Sequence, residues 1–160
     1  MSDDRKQTHT IRIKAAVDRV WEELTRTDGV QRFYFDSRID GAFEEGKTIR
    51  YVSPDGKHLF ITGTVKEIEP GRRLVHDFKF SHIKEPPSLV SFTLTPHGDE
   101  TEVRIEHSDF TGNKHFNSVK SGWPFILGNL KRWLETGTLP FGTRFRYGLM
   151  KLFMPFVPKA

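Results

Sequence analysis

With 160 residues the chain is enough for one domain that buries roughly 70% of its unfolded surface, and the absence of cysteine excludes a disulfide framework, a thiolate nucleophile and a thiolate metal site. It holds no apolar run of about eighteen residues and no apolar secretory core behind its charged start, so a soluble, cytoplasmic protein is the expectation. The net charge of +4 is carried wholly by Arg144, Arg146, Lys151 and Lys159, in a stretch without acids; the rest is formally neutral, and no nucleic-acid partner is expected without a basic face on the domain.

Thr8 to Lys14 alternates around Ile11 and Ile13 and predicts a first strand. Val17, Val20, Trp21 and Leu24 then follow helical spacing and predict a short amphipathic helix, while Asp28 is placed to cap a second one through Val30, Phe33 and Tyr34. From Ser37 onward turn signals recur at strand spacing. Asp55-Gly56 suits a tight hairpin, Pro70-Gly71 a type II turn and His97-Gly98-Asp99 another hairpin. These turns predict an antiparallel meander, with a longer connection from Ser81 to Pro87.

Strand parity sorts the meander's side chains into inner and outer sets. Leu74, Phe78 and Phe80 share a face that also carries His76, while Asp77 and Lys79 point away. Val90, Phe92 and Leu94 face inward on the next strand, and Val103, Ile105 and His107 on the last. His76 and His107 are thereby predicted to share one concave wall.

Phe116, Val119, Trp123, Ile126, Leu127, Leu130 and Leu134 recur at intervals of three and four and predict a long helix with a wide apolar stripe. Asn129, Lys131, Arg132 and Glu135 are placed on its water side. Gly137 is a C-terminal cap, with Pro140 just beyond it, and Pro124 predicts a kink or a restart near Gly122. The stretch from Thr138 to Ala160 is then both basic and strongly apolar, with Gly148 and Pro155 limiting any helix there to a short one.

A family resemblance rests on several of these pieces in order. They are the Ile11 strand with Ala16-Val17 and Val20-Trp21, Gly63-Thr64-Val65 leading to Glu69-Pro70-Gly71-Arg72-Arg73-Leu74-Val75, Thr101-Glu102-Val103 through His107-Ser108-Asp109-Phe110, and the Gly122-Trp123 helix ending Leu134-Glu135-Thr136-Gly137. Together they resemble the START-like, or SRPBCC, superfamily, and within it the family named for the C-terminal domain of activators of the ninety-kilodalton heat-shock chaperone ATPase. The resemblance implies an α+β helix-grip fold, a curved seven-stranded antiparallel sheet around the long C-terminal helix, with two short helices after the first strand. It covers residues 8–137 as one domain and leaves 138–160 as a basic, apolar extension past the family's usual end. Proteins of this fold bind lipids, sterols or polyketides, cyclise polyketides, or assist chaperones. The eukaryotic chaperone activators also carry a separate N-terminal domain, for which this chain leaves no room.

Independent signs of chemistry are sparse. No zinc-protease, phosphate-loop or nucleophile-elbow motif occurs, the seven histidines show no metal-ligand spacing, and neither metal nor cofactor is expected. His76 and His107 read either as bonded core histidines or as a pair that orients or protonates a polar group. Phe33 and Phe35 read as a gate, and Tyr51, Phe60, Phe78, Phe92, Trp123 and Leu127 as an aromatic and apolar surround that is either packed core or cavity lining. The leading expectation is a non-enzymatic binder or carrier of a small hydrophobic molecule between sheet and helix. A chaperone-associated interaction protein is the alternative, and a polyketide cyclase-like enzyme using His76 and His107 the third. The extension must be covered, by its own domain or a homodimer partner first and a membrane surface second, with gating of the cavity or order imposed only by a crystal as the remaining readings.

Overall fold

The computed structural model describes residues 5–160; residues 1–4, part of the charged start weighed above as a secretory leader, lie outside the described residues. Eight strands form: β1 (Gln7–Ile13), β2 (Val30–Gln31), β3 (Ser37–Gly41), β4 (Thr48–Val52), β5 (Leu59–Glu69), β6 (Arg73–Phe80), β7 (Ser88–His97) and β8 (Glu100–Ser108). Their order across one antiparallel sheet is β1-β8-β7-β6-β5-β4-β3-β2, so the first strand pairs with the last. Helix α1 (Val17–Leu24) follows β1. Helix α2 (Asn113–Thr136) crosses the inner face, and α3 (Phe141–Phe153) with a short tight turn (Met154–Phe156) ends the chain.

The sheet curls where its register slips. β5 slips against β6 between Val65 and Glu67, and against β4 opposite Tyr51 and Val52, and such irregularities bend a strand and sharpen its twist. Gly63 sits where β5 passes close to β6: a Cβ there would stand 2.3 Å from the Asp77 carbonyl oxygen and 2.9 Å from His76 Nδ1. Only glycine fits that approach. The concave face so formed buries Leu74, Phe78, Val90, Phe92, Val103 and Ile105 against the α2 stripe of Val119, Trp123, Ile126, Leu127, Leu130 and Leu134, as parity and helical spacing predict.

Both ends of α2 are held by identifiable groups. Gly137 adopts φ 72° and donates its N–H to the Trp133 carbonyl at 2.9 Å, the left-handed cap expected of it. At the other end no residue of the helix's own sequence caps it. The Glu85 carboxylate, from the connection between β6 and β7, accepts from the N–H groups of Lys114 and His115 at 3.1 and 3.0 Å. Lys79 Nζ holds that connection by donating to the carbonyls of Ile83 and Glu85.

Four local expectations are corrected. The fold class is the helix-grip arrangement, but the sheet has eight strands rather than seven, and the second short helix does not form. Val30 and Gln31 instead pair with Arg38 and Ser37 as β2, and a run of turns follows in which Phe35 and Asp36 take left-handed φ of 57° and 52°. Two successive non-glycine residues at positive φ end any helix, and sheet pairing overrides the local helical signal. Pro124 does not split α2, which runs unbroken from Asn113 to Thr136. The carbonyl that its ring deprives of a partner belongs to Lys120, and both residues are exposed, so that carbonyl is open to solvent rather than orphaned in the core. Asn129 is not on the water side: it is buried, and its Oδ1 accepts from Thr143 of α3 at 2.6 Å.

Trp123 and Leu130 are buried at 2% and 0% exposure, the first between aromatic rings and the second at the centre of the stripe. Trp123→Ala is expected to cost about 3–5 kcal/mol and Leu130→Ala about 2–5 kcal/mol, read as a lowered urea midpoint at unchanged slope.

Candidate functional site

The concave wall carries a chain of polar groups that begins on α2 and ends on β6. Trp123 Nε1 donates to His107 Nδ1 at 3.0 Å, which places the His107 proton on Nε2. Nε2 lies 2.6 Å from Ser88 Oγ and donates to it, and the serine hydroxyl donates onward to the Phe78 carbonyl at 3.2 Å. His115 Nε2, from the first turn of α2, stands 3.4 Å from the same serine oxygen. His107 is thus a neutral imidazole with both nitrogens engaged. Burial, helped by the neighbouring His115 and His76, pushes its pKa down to about 2, and burial also pulls His115 down to about 4 despite Glu85.

His76 lies in the same row with β7 between, since it pairs with Val90 and Val90 pairs with His107. The shared wall is therefore as parity predicts. The two imidazoles are engaged separately, however: His76 Nδ1 bonds the Asp77 carbonyl at 2.6 Å, while its Nε2 is buried with no protein partner. Burial lowers its pKa. Phe78 packs beside both rings, with centroids 6.3 Å from His76 and 5.1 Å from His107. His107, with both ring nitrogens engaged, has no free position for a substrate proton, whereas His76 keeps Nε2 as an unpartnered position in a buried place. Among the described residues no three histidines or carboxylates converge as a metal site.

The space between sheet and helix is nearly filled. Leu24, Gln31, Phe33, Tyr34, Tyr51 and Phe92, with Leu127 and the rest of the α2 stripe, enclose a cavity of about 10 Å³, room for a single water at most. Larger spaces open where the C-terminal extension meets the domain. One of about 470 Å³ lies among Tyr34, Phe35, Phe60, Phe80, Met150 and Phe153, and its few polar neighbours include Ser81 and His82. Another, of about 580 Å³, lies between the Gly122–Phe125 turn of α2 and the edge of α3 that carries Arg146, Leu149, Met150 and Phe153, with Phe35 at its rim.

Tyr147 holds α3 over this region. Its hydroxyl accepts from the Phe35 N–H and donates to the Arg32 carbonyl, both at 2.9 Å, bridging the two backbone groups that a reverse turn would join directly. Its phenol pKa is raised by burial, which keeps the bridge protonated. Beyond α3 the last residues lie along the start of β5: Leu59 N–H donates to the Pro158 carbonyl, His58 Nδ1 bonds the Val157 carbonyl, and Ala160 N–H donates to Lys57.

The ten predicted cavity residues thus fall into three groups. Phe33, Tyr51, Phe92 and Leu127 line the small enclosed space, Phe35 and Phe60 line the outer groove, and His76, Phe78, His107 and Trp123 are buried in the polar-aromatic cluster. As a gate pair, Phe33 and Phe35 separate: the first is core, and the second is half-buried at the mouth against Phe125 and Tyr147. Ser88, His115 and Tyr147 carry no sequence signal for their roles. Each is identified only by a partner distant in the chain.

Two expectations test this geometry. His107 and His115 have folded pKa values below the ordinary 6.5, so the unfolded chain binds protons that the folded chain refuses. Stability is full above about pH 6.5 and falls below it, by roughly 1.4 kcal/mol per pH unit for each histidine well below that pH. The urea midpoint should therefore drop between pH 7 and pH 5, and His115→Gln should make the drop shallower. For the extension, Tyr147→Phe leaves two turn groups without their bridge and is expected to cost about 1–3 kcal/mol, with faster hydrogen exchange at Phe35.

Residues 14–135 match the family described as Activator of Hsp90 ATPase homolog 1-like protein. Among curated proteins none matches the chain. Among solved structures, the solution structure of CalU16 from Micromonospora echinospora is 26% identical over 85% of this chain and 68% of its own, with a TM-score of 0.67. DynU16, from the dynemicin biosynthetic locus, is 25% identical with a TM-score of 0.71; 86% of this chain aligns, but only 49% of DynU16. The Aha1 dimer from Colwellia psychrerythraea is similar in fold, at 24% identity, a TM-score of 0.70, and 84% and 98% coverage. With the match spanning well over half its length, from the end of the first strand to the end of the long helix, the chain belongs to the Activator of Hsp90 ATPase homolog 1-like family.

Proposed function

We propose that the protein binds and carries a small hydrophobic molecule, without catalysing its conversion, in the groove between the open end of the sheet and the C-terminal extension. The observation that carries this reading is the groove of about 470 Å³ under Phe153, with Phe35, Phe60 and Phe80 as its domain-side wall. Its size falls within the roughly 300–1,000 Å³ of small-ligand sites, and rigid rings with few polar groups suit an apolar ligand. In this reading residues 8–137 are the helix-grip domain, and residues 138–160 supply the second wall. Tyr34, which borders both the groove and the small interior space, is the side chain a ligand must displace to go deeper.

A second reading, a chaperone-associated interaction protein, draws support from the family match and from the nearly filled interior. The two readings part on whether an apolar probe binds saturably and where. Titration with the neutral fluorophore N-phenylnaphthylamine is expected to give one saturable site, weakened about fivefold or more by Phe60→Ser, a loss of about 1 kcal/mol of apolar contact. Phe78→Ala, in the closed core, should cost about 3–5 kcal/mol of stability and leave the probe site in place. No saturable binding, together with stimulation of an Hsp90-type ATPase by the full chain, would favour the second reading.

A further inference from the structure

The extension has two faces, and the docking just described uses only one. Thr143, Tyr147, Met150 and Met154 turn toward the domain. On the opposite side Phe141, Phe145, Leu149 and Leu152 fall at helical spacing, and Phe153 and Phe156, which also border the groove on their inner edges, continue the exposed row. Their exposures run from 42% at Leu149 to 84% at Phe156, and these six are the large apolar side chains most open to water among the described residues. At 100° per residue, Arg144 and Lys151 flank this apolar face on one side and Arg146 on the other. No acid occurs between Thr138 and Ala160, and the rest of the chain is formally neutral, so the basic field of the extension is not cancelled.

An apolar face with exposed phenylalanines, flanked on both sides by arginine and lysine, is the pattern of a helix that lies in a membrane interface. The rings enter the headgroup boundary while the cations meet anionic lipid. Spanning is not at issue, because among the described residues no helix is long and apolar enough to cross a bilayer. A second copy of the chain fits the face less well: a symmetric contact of extension on extension would gather Arg144, Arg146 and Lys151 of both copies at one interface, with no acid on the extension to pair with them.

We infer that the outer face of α3 and of the following turn is a docking surface for anionic lipid bilayers. The inference is separable from the groove: Phe153 and Phe156 border it and Leu149 borders the neighbouring space, but Phe141, Phe145 and Leu152 line neither.

The test is co-sedimentation of the full chain with vesicles of phosphatidylcholine alone and of phosphatidylcholine containing phosphatidylglycerol. Binding is expected to the anionic vesicles only, and to weaken about tenfold or more when salt is raised from about 0.05 M to about 0.5 M. The double variant Phe145→Ser with Leu152→Ser should lose about tenfold in vesicle affinity. Arg144→Glu with Lys151→Glu should abolish the preference for anionic lipid. Both variants should keep the urea midpoint and N-phenylnaphthylamine binding of the parent, which separates failure of this surface from failure of the groove. Absent or equal binding to the two vesicle types would overturn the inference, as would vesicle binding by both variants at parental strength. So would light scattering that shows a dimer dissociated by Phe145→Ser with Leu152→Ser, since the face would then belong to a second copy.

Discussion

The bond from the Trp123 indole to His107 decides how the long helix sits on the sheet. Through His107, Ser88 and the Phe78 carbonyl it links α2 to β8, β7 and β6 in turn, three neighbouring strands of the sheet. Apolar burial alone is non-directional and would allow α2 to slide or rotate along its stripe. A buried donor and acceptor tolerate no such freedom, because losing the partner leaves an unsatisfied group at a cost of about 1–3 kcal/mol. The low pKa of His107 follows from the same arrangement: a proton on Nδ1 would displace the tryptophan and place a charge in the core. Chemistry that needs this imidazole as a base at neutral pH conflicts with the bond that positions the helix.

A helix fixed so closely over the sheet leaves little interior space, and this moves the search for a ligand outward. Phe33, Tyr34, Tyr51 and Phe92 fill the end of the cleft down to room for a single water at most. The turn after β2, with Phe35 and Asp36 at left-handed φ, directs Phe35 away from that core and toward α3. Strain at those two residues is stabilised from outside, since the Tyr147 hydroxyl bridges Arg32 and Phe35. The mouth of the fold and the extension therefore form one unit, and alteration of either is felt by the other.

Much of this was legible before any coordinates. Strand parity places His76 and His107 on one wall because a strand's alternation is rigid, and the α2 stripe is complete because helical spacing is equally rigid. Gly137 is a cap for a local reason, its positive φ. The failures share a different cause. The predicted helix around Phe33 became β2 and a turn because Ser37 and Arg38 offered a sheet edge to Gln31 and Val30, a contact that periodicity cannot see. Asn129 looked solvated because its partner, Thr143, lies on the far side of the Gly137 cap. Ser88 and His115 are ordinary polar residues in sequence, and only the fold brings them to His107.

The extension shows how one docked face determines the character of the other. Thr143 and Tyr147 stand four residues apart, one turn of helix, and their bonds to Asn129 and to the turn at Arg32 and Phe35 fix the rotation of α3 about its axis. Once that rotation is set, Phe145, Leu149 and Leu152 have no choice but to face outward, however unfavourable their contact with water. A helix stabilised by apolar burial alone would have turned those residues inward. The polar bonds on the inner side thus keep an apolar, cation-flanked face presented to the surroundings, and an exposed surface held open at such a cost is one that a partner is there to cover.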